Sequence, residues 1–378
     1  MSKYNVYDIG AALLDTEIQV SDKDLNNLKI DKGLMCLADK DRQNELTCYL
    51  QKKIAGAYRA SGGSAANTII AISEFGGEVF YSCRVANDDN GIFYLNDLKS
   101  SGVEFNNNIS TIGLTGKCLV LITPDAERSM STNLGVSANF SPKDLCPKAI
   151  SNSEYIYIEG YLVSTDRCQK AAIKARQIAE KAGVKVAVTL SDPVMVSVFK
   201  DGLEKIIGKR VDLLFCNEAE ALSWTNCSDL NGSLKLLKKS ASTYVVTLGD
   251  RGAIVFDGKD QFDISVCATN AINTNGAGDI FAGSFLYAIT HGYSYNTAGN
   301  FAALAASYVV SQEGPRLNSK QYQQIKENFF SSFSSYDAEL TILMNSCKKH
   351  NFIVFFSKIV RDFIFFFSFP FIVTISKN

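Results

Sequence analysis

Histidine is nearly missing from this chain: His291 and His350 are the two among 378 residues. A His-based catalytic triad or a zinc centre built on imidazole is therefore not expected. None of the ten cysteines forms a C-x-x-C pair. Net charge is also missing, with 38 Lys and Arg against 39 Asp and Glu, so nothing electrostatic points to nucleic acid as a partner. Neither G-x-x-x-x-G-K-[ST] nor G-x-G-x-x-G occurs, which disfavours a P-loop enzyme and a standard dinucleotide fold. From about Asn345 the chain becomes crowded with Phe and Ile. Its uninterrupted apolar part, 363–375, falls short of the ~20 residues a spanning helix needs and contains Pro370. This segment, 345–378, reads either as a weak membrane anchor or as a non-native extension. No membrane partner is expected apart from it.

What is present is an ordinary globular balance, 46% apolar and 20% charged, enough to bury a sizeable core. Cys216 in "LLFCNE" and Cys267 in "ISVCAT" lie in apolar runs and read as small buried hydrophobes. The opening "MSKYNVYDIG" does not read as a signal peptide, so a reducing cytoplasm is expected.

Apolar strands alternate with amphipathic helices. "KYNVYDIGAAL", "EVFYSCRVA", "YIYIEGYL", "VKVAVTLS" and "VDLLFCNE" read as strands, and "TYVVTLGDRGAIVFDG" as two strands around a turn. "TDRCQKAAIKARQIAEKAG" reads as a helix closed by Gly183 in a left-handed cap. The pattern predicts an α/β protein whose mostly parallel sheet is covered on both faces. Two segments fit poorly: 15–58 is polar with weak periodicity, and 105–135 looks like short antiparallel strands. Together they suggest a small β-rich accessory piece.

"NTNGAGDIFAGSF" (273–285) carries the chemistry. "QFDISVCA" before it alternates like a strand, and Ile280, Phe281, Phe285, Ala288 and Ile289 after it recur with helical spacing. Gly276, Ala277 and Gly278 then sit at a helix N-terminus. Free amides point outward there, the dipole favours negative charge, and missing side chains let a phosphate approach. Asp279, on the first turn, should stay ionised in that field and be available to accept a proton. An anion hole beside a base suits phosphoryl transfer, although the same residues would also make a plain Gly-rich turn.

Three other stretches point the same way, each readable singly as an ordinary turn or cap. "SGGSAANT" brings Gly62 and Gly63 before a helix that carries Asn67, which can donate to and accept from a diol. "CNEAEA" sets Asn217 and Glu220 three apart at a helix start, oxygen groups suited to hydrated magnesium. "TLGDRGA" follows a strand, and its glycines leave room for a nucleotide.

In this order the pieces resemble the ribokinase/PfkB family of sugar and nucleoside kinases, over roughly residues 4–335. "NTNGAGD" matches its C-terminal signature and "SGGSAANT" its N-terminal one. "NEAE" and "TLGDRG" match its magnesium–phosphate and nucleotide motifs. "DAERSM", "EGYL", "TLSDP" and "DLLFCNEAEA" look most like the bacterial adenosine kinase-like branch.

The resemblance implies a three-layer α/β/α sandwich over 1–340, with a small β lid from about 11–58 and 108–132. It implies ATP and Mg2+ as cofactors and Asp279 as base, with Gly276, Ala277 and Gly278 forming the anion hole. Asp15 would hold the sugar diol, flanked by Gly62, Gly63 and Asn67. Arg128 would close over substrate and neutralise phosphate charge. Asn217 and Glu220 would position magnesium through water, and Thr247, Gly249 and Gly252 would line the nucleotide pocket. Many relatives dimerise through the lid, so a homodimer is an open expectation.

The match has one departure. The signature usually begins Asp-Thr, and here it begins Asn273-Thr274. An amide keeps an oxygen ligand for a monovalent cation but loses the charge, so little response to potassium is expected. Three functions follow: a kinase of adenosine or a related nucleoside; a kinase of a free sugar or sugar acid such as fructose, ribose or 2-keto-3-deoxygluconate; and a nucleotide-binding protein without turnover.

Overall fold

The computed structural model describes residues 2–106 and 108–331, so the Phe-rich tail lies outside the described residues. Met1–Asn318 makes one unit; a second begins at Ser319, and of it residues 319–331 are helical.

The first unit is organised by a nine-stranded sheet. Tyr4–Ile9 pairs in parallel with Val79–Ser82, which is followed by Glu104–Phe105. On its other side come Ser153–Ile158, Lys185–Thr189, Val211–Asn217 and Ala241–Thr247, again all parallel. Ala253–Phe256 and Gln261–Ile264 finish that side as antiparallel strands.

Alternation along the strands separates the two faces. Ile156, Ile158, Val186, Val188 and Leu214 share a core with Ala171, Ala172, Ala175 and Ala179 of the Asp166–Ala182 helix. Tyr157 and Phe215 form a pair of their own, and Phe215 meets Phe285 of the Ala277–Thr290 helix edge-on at 5.7 Å. The Asp166–Ala182 helix starts where the Thr165 hydroxyl accepts from the Cys168 amide, and ends at left-handed Gly183 as its spacing predicted. The predicted strand at 261–268 is shorter: it stops at Ile264, which leaves Cys267 half-buried rather than in the core. Cys216 is buried.

A second sheet of five strands runs in the order Met35–Leu37, Arg128–Asn133, Gly116–Ile122, Leu13–Gln19, Tyr58–Gly62. It is mixed rather than antiparallel throughout. Leu13–Gln19 lies parallel to Gly116–Ile122, and Met35–Leu37 parallel to Arg128–Asn133, because distant chain segments supply the partners. Ile109–Ser110 stays out of this sheet and pairs with Val85–Ala86.

The polar stretch after residue 20 contains three short helices, Asp22–Leu28, Lys40–Tyr49 and Gln51–Ile54. Ser21 and Asp39 cap the first two. Leu25, Leu28, Leu46 and Leu50 from this region pack with Ile18, Leu119 and Leu121. Few buried residues per helix account for the weak periodicity.

The parallel strands of the large sheet end along one edge, at Ile9, Ile158, Thr189, Asn217 and Thr247. Ligands of open α/β sheets collect outside such carboxyl ends. The second sheet begins there too, since Leu13 follows Ile9 after three residues.

Candidate active site

Gly276 caps the Ala277–Thr290 helix with φ +77°, and a Cβ there would lie 2.1 Å from the Pro315 carbonyl oxygen. Only glycine meets both conditions. Gly278 has open space where a Cβ would be. Its amide and that of Asp279 belong to the first turn, which has no intrahelical acceptors. The Ala277 amide is directed instead at the Thr274 carbonyl at 3.3 Å, and Ala277 does not line the cleft. Of the three small residues expected to form an anion hole, Gly276 and Gly278 line the cleft together with Asp279, and Ala277 does not.

Asp279 is held from the other side of the cleft. Its Oδ1 accepts from the Ser64 hydroxyl at 2.7 Å and its Oδ2 from the Asn67 amide at 2.9 Å. Burial pushes its carboxyl above the usual range, while the Asn67 and Ser64 hydrogen bonds and the Arg128 charge oppose the shift. Desolvation is the largest of these influences, and the result is a stronger base than an exposed aspartate. Asn67 is 2% exposed; its amide nitrogen orients Asp279, and its Oδ1 has no protein partner among the described residues.

Asp15 lies on Leu13–Gln19, and burial, with the Glu17 and Asp279 charges, pushes its carboxyl up to about 8. A Cβ on Gly62 would fall 1.9 Å from the Asp15 Cγ. Gly62 is therefore the seat of that carboxylate, and it does not itself line the cleft. Gly63 does line the cleft; its φ is +90° and a Cβ would meet the Ala11 carbonyl at 2.2 Å.

Glu159, which the sequence reading did not assign, stands at the end of Ser153–Ile158. It accepts from the Ala11 amide at 2.8 Å and lies where a Gly10 Cβ would go. Burial pushes it up to about 8. Asp8 is fully buried, with neither carboxylate oxygen hydrogen-bonded among the described residues; burial and the Glu159 and Asp279 charges push it well up. A lone acid after a strand, in "IEGYL", was the available signal for Glu159.

Asn217 and Glu220 form a reciprocal cap. The Asn217 side chain accepts from the Glu220 amide at 2.8 Å, and Glu220 accepts from the Asn217 amide at 3.0 Å and from its side-chain nitrogen at 2.7 Å. Both line the cleft, and burial pushes Glu220 up to about 7. Thr247 lines the cleft as well. Gly249 and Gly252 do not: they turn the hairpin between Ala241–Thr247 and Ala253–Phe256. A Cβ on Gly252 would lie 2.0 Å from the Ile264 carbonyl oxygen, so backbone packing explains this glycine without a nucleotide.

The cleft spans about 1120 Å³ of space between atoms, part of it open to solvent. Asp15, Glu159, Glu220 and Asp279 line it with one cation among the described residues, Arg128. Leu13, Met35, Leu37, Met130 and Leu134 give it an apolar wall on the side of the second sheet. No helix among the described residues is long and apolar enough to cross a membrane.

Comparison with known proteins agrees with this geometry. The model of the pfkB family carbohydrate kinases matches residues 36–321. The adenosine kinase of Sinorhizobium meliloti is 32% identical, with a TM-score of 0.80 over 85% of this chain and 99% of that one. A probable sugar kinase of Rhizobium etli CFN 42 is 30% identical, with a TM-score of 0.81 over 86% and 99%. The adenosine kinase of Dictyostelium discoideum is 27% identical over 83% of this chain and 96% of its own. With the family model matching most of the chain and a kinase of 32% identity matched over nearly its whole length, this protein is a kinase and belongs to the pfkB family.

Proposed function

We propose that the cleft transfers the γ-phosphate of ATP to a primary hydroxyl of adenosine or a related nucleoside. The observation that carries the choice of acceptor is the pairing of Asp15 with an apolar wall. A carboxylate accepts from both hydroxyls of a ribose diol. Met35, Leu37, Met130 and Leu134 suit a flat base, whereas a free polyol would leave that wall against its hydroxyls. The likeness to a nucleoside kinase at 32% identity supports the same acceptor. The likeness to a sugar kinase at 30% keeps a sugar as the second reading.

In the transfer, the acceptor oxygen forms a bond to the γ-phosphorus while the bond from that phosphorus to the β–γ bridging oxygen breaks. The hydroxyl proton goes to Asp279 and ADP leaves. The Gly276–Gly278 turn receives the charge on the transferred group. Arg128, on the second sheet, faces the same space and neutralises phosphate charge; the sheet acts as the lid over the acceptor.

Four lining acids would repel bare ATP, so the site fits a nucleotide whose charge a divalent cation has reduced. Asn217 and Glu220 suit a hydrated Mg2+ held through its waters, since both bring oxygen to the lining of the cleft. Bound there, the ion would supply charge neutralisation of the phosphates. A cytoplasmic location fits the supply of ATP.

The test is ATP-dependent transfer across a panel of adenosine, other nucleosides, fructose, ribose and 2-keto-3-deoxygluconate. Adenosine or a close nucleoside should have the highest kcat/KM. A sugar at the top would replace the nucleoside reading, and no transfer to any member would remove the kinase reading.

A further inference from the structure

Asp15 has a neighbour on its own strand face whose task nothing above explains. Glu17 is two residues further along Leu13–Gln19 and is 7% exposed. Its Oε1 accepts from the Asn275 side-chain amide at 2.7 Å. Its Oε2 accepts from the Asn273 side-chain amide at 2.9 Å and from the Gly314 backbone amide at 2.9 Å. Asn273 Oδ1 in turn accepts from the Asn275 backbone amide at 2.9 Å. Burying an ionised carboxylate costs least when its oxygens are satisfied, and here all three donors come from the two segments on either side of Gly276 and Pro315. Asn273 and Asn275 lead into Gly276. Gly314 precedes Pro315, whose carbonyl is the atom that keeps Gly276 bare.

We propose that Glu17 is the positioning residue of the anion-binding turn, clamping it to the strand that carries Asp15. One strand then holds both the contact for the acceptor and the support for the phosphate site, so the distance between hydroxyl and phosphate is set by rigid β-structure. Displacement by ~1 Å at such a site costs rate. The clamp also accounts for Asn273. A carboxylate at that position would face Glu17 with no donor between them, whereas the amide donates. The inference rests on the kinase reading of the same cleft.

The test compares the full chain with Glu17→Gln, Asn273→Asp and the double variant. Two readouts are taken: steady-state transfer, and hydrogen exchange of a peptide covering 273–285 without ligand. In Glu17→Gln a donor is turned toward donors. Its kcat should fall about tenfold to a hundredfold while the acceptor KM moves less than about threefold, and exchange over 273–279 should accelerate at least about tenfold. Asn273→Asp should do likewise. In the double variant the introduced amide donates to the introduced carboxylate, and the Gly314 amide alone stays unpaired. At least about half of the logarithmic loss should return.

Wild-type kcat and unchanged exchange in Glu17→Gln would overturn the clamp, and so would a double variant as slow as the two losses added. If Glu17→Gln does not accumulate folded, Asn275→Ser removes one donor and leaves the carboxylate; unchanged kcat and exchange there overturn it equally. If the wild type transfers phosphate to nothing, the kinase reading fails, and the exchange data alone still decide the clamp.

Discussion

Asp15→Asn is expected to stabilise the ligand-free protein at alkaline pH while weakening acceptor binding. The Asp15 carboxyl is 5% exposed, seated against Gly62, and pushed up to about 8 by burial and by the Glu17 and Asp279 charges, against Arg316 and the Gly63 amide. In the unfolded chain an aspartate ionises near ~3.9. Between these values the folded protein holds a proton that the unfolded chain has lost, so stability falls as pH rises from about 4 through about 8. The interval is about four pH units, and at ~1.36 kcal/mol per unit its ceiling is ~5–6 kcal/mol. Water entering the open cleft relaxes part of that, leaving ~1–3 kcal/mol to observe.

Asparagine has the same shape and no proton to lose. Its melting temperature should therefore fall less than that of the wild type between pH 6 and pH 9. Glu159 and Glu220 should leave a residual slope in both proteins, because burial pushes them up as well. Binding has the opposite requirement. Accepting from two hydroxyls needs the ionised carboxylate, so a diol binding at pH 7 should release protons, measurable by calorimetry in two buffers of different ionisation enthalpy. Asp15→Asn should abolish most of that release and raise the acceptor KM at least about tenfold, with ATP affinity nearly unchanged. Melting curves of wild type and variant that stay parallel from pH 6 to 9, together with identical proton release, would refute the argument.

Asp279→Asn should lower kcat by ~10²–10⁴-fold, read by transfer assay, while ATP binding measured by calorimetry survives. Gly62→Ala places a methyl on the Asp15 carboxylate, so its acceptor KM should rise as in Asp15→Asn with the ATP KM within about twofold. Gly276→Ala combines a left-handed φ with contact on the Pro315 carbonyl and should lose at least ~2 kcal/mol in denaturant unfolding, along with transfer activity. Potassium should stimulate the wild type little, as the sequence reading expected. Asn273→Asp should lower the melting temperature rather than create a potassium response, because its carboxylate would face Glu17.

The parallel sheet, its order of strands and helices and the cap at Gly183 were legible because each is written in local periodicity and turn chemistry. So was the helix N-terminus at 276–279, since glycines before an amphipathic run have few other readings. The short helices between residues 22 and 54 were not legible, because the first two bury only two side chains each and the third buries none. The end of the strand at Ile264 was hidden by an apolar run that continued past it. Gly62 and Gly252 showed the limit of glycine as a signal. Both are required by close packing, one against Asp15 and the other against the Ile264 carbonyl, and neither touches the cleft.

By itself the sequence determined the α/β class and the place of Asp279 on the first turn of a helix that opens behind Gly276, Ala277 and Gly278. These depend on spacings of a few residues, which survive in one dimension. The tertiary structure decided everything that joins residues far apart in the chain. Asn67 and Ser64 meet Asp279 across more than 200 positions, Glu159 reaches the turn at Ala11, and Glu17 grips the segments at 273–275 and 314. It also decided the ionisation of the acids. Burial, which only the folded chain creates, raises the Asp279 carboxyl above the usual range and Asp15 and Glu159 to about 8.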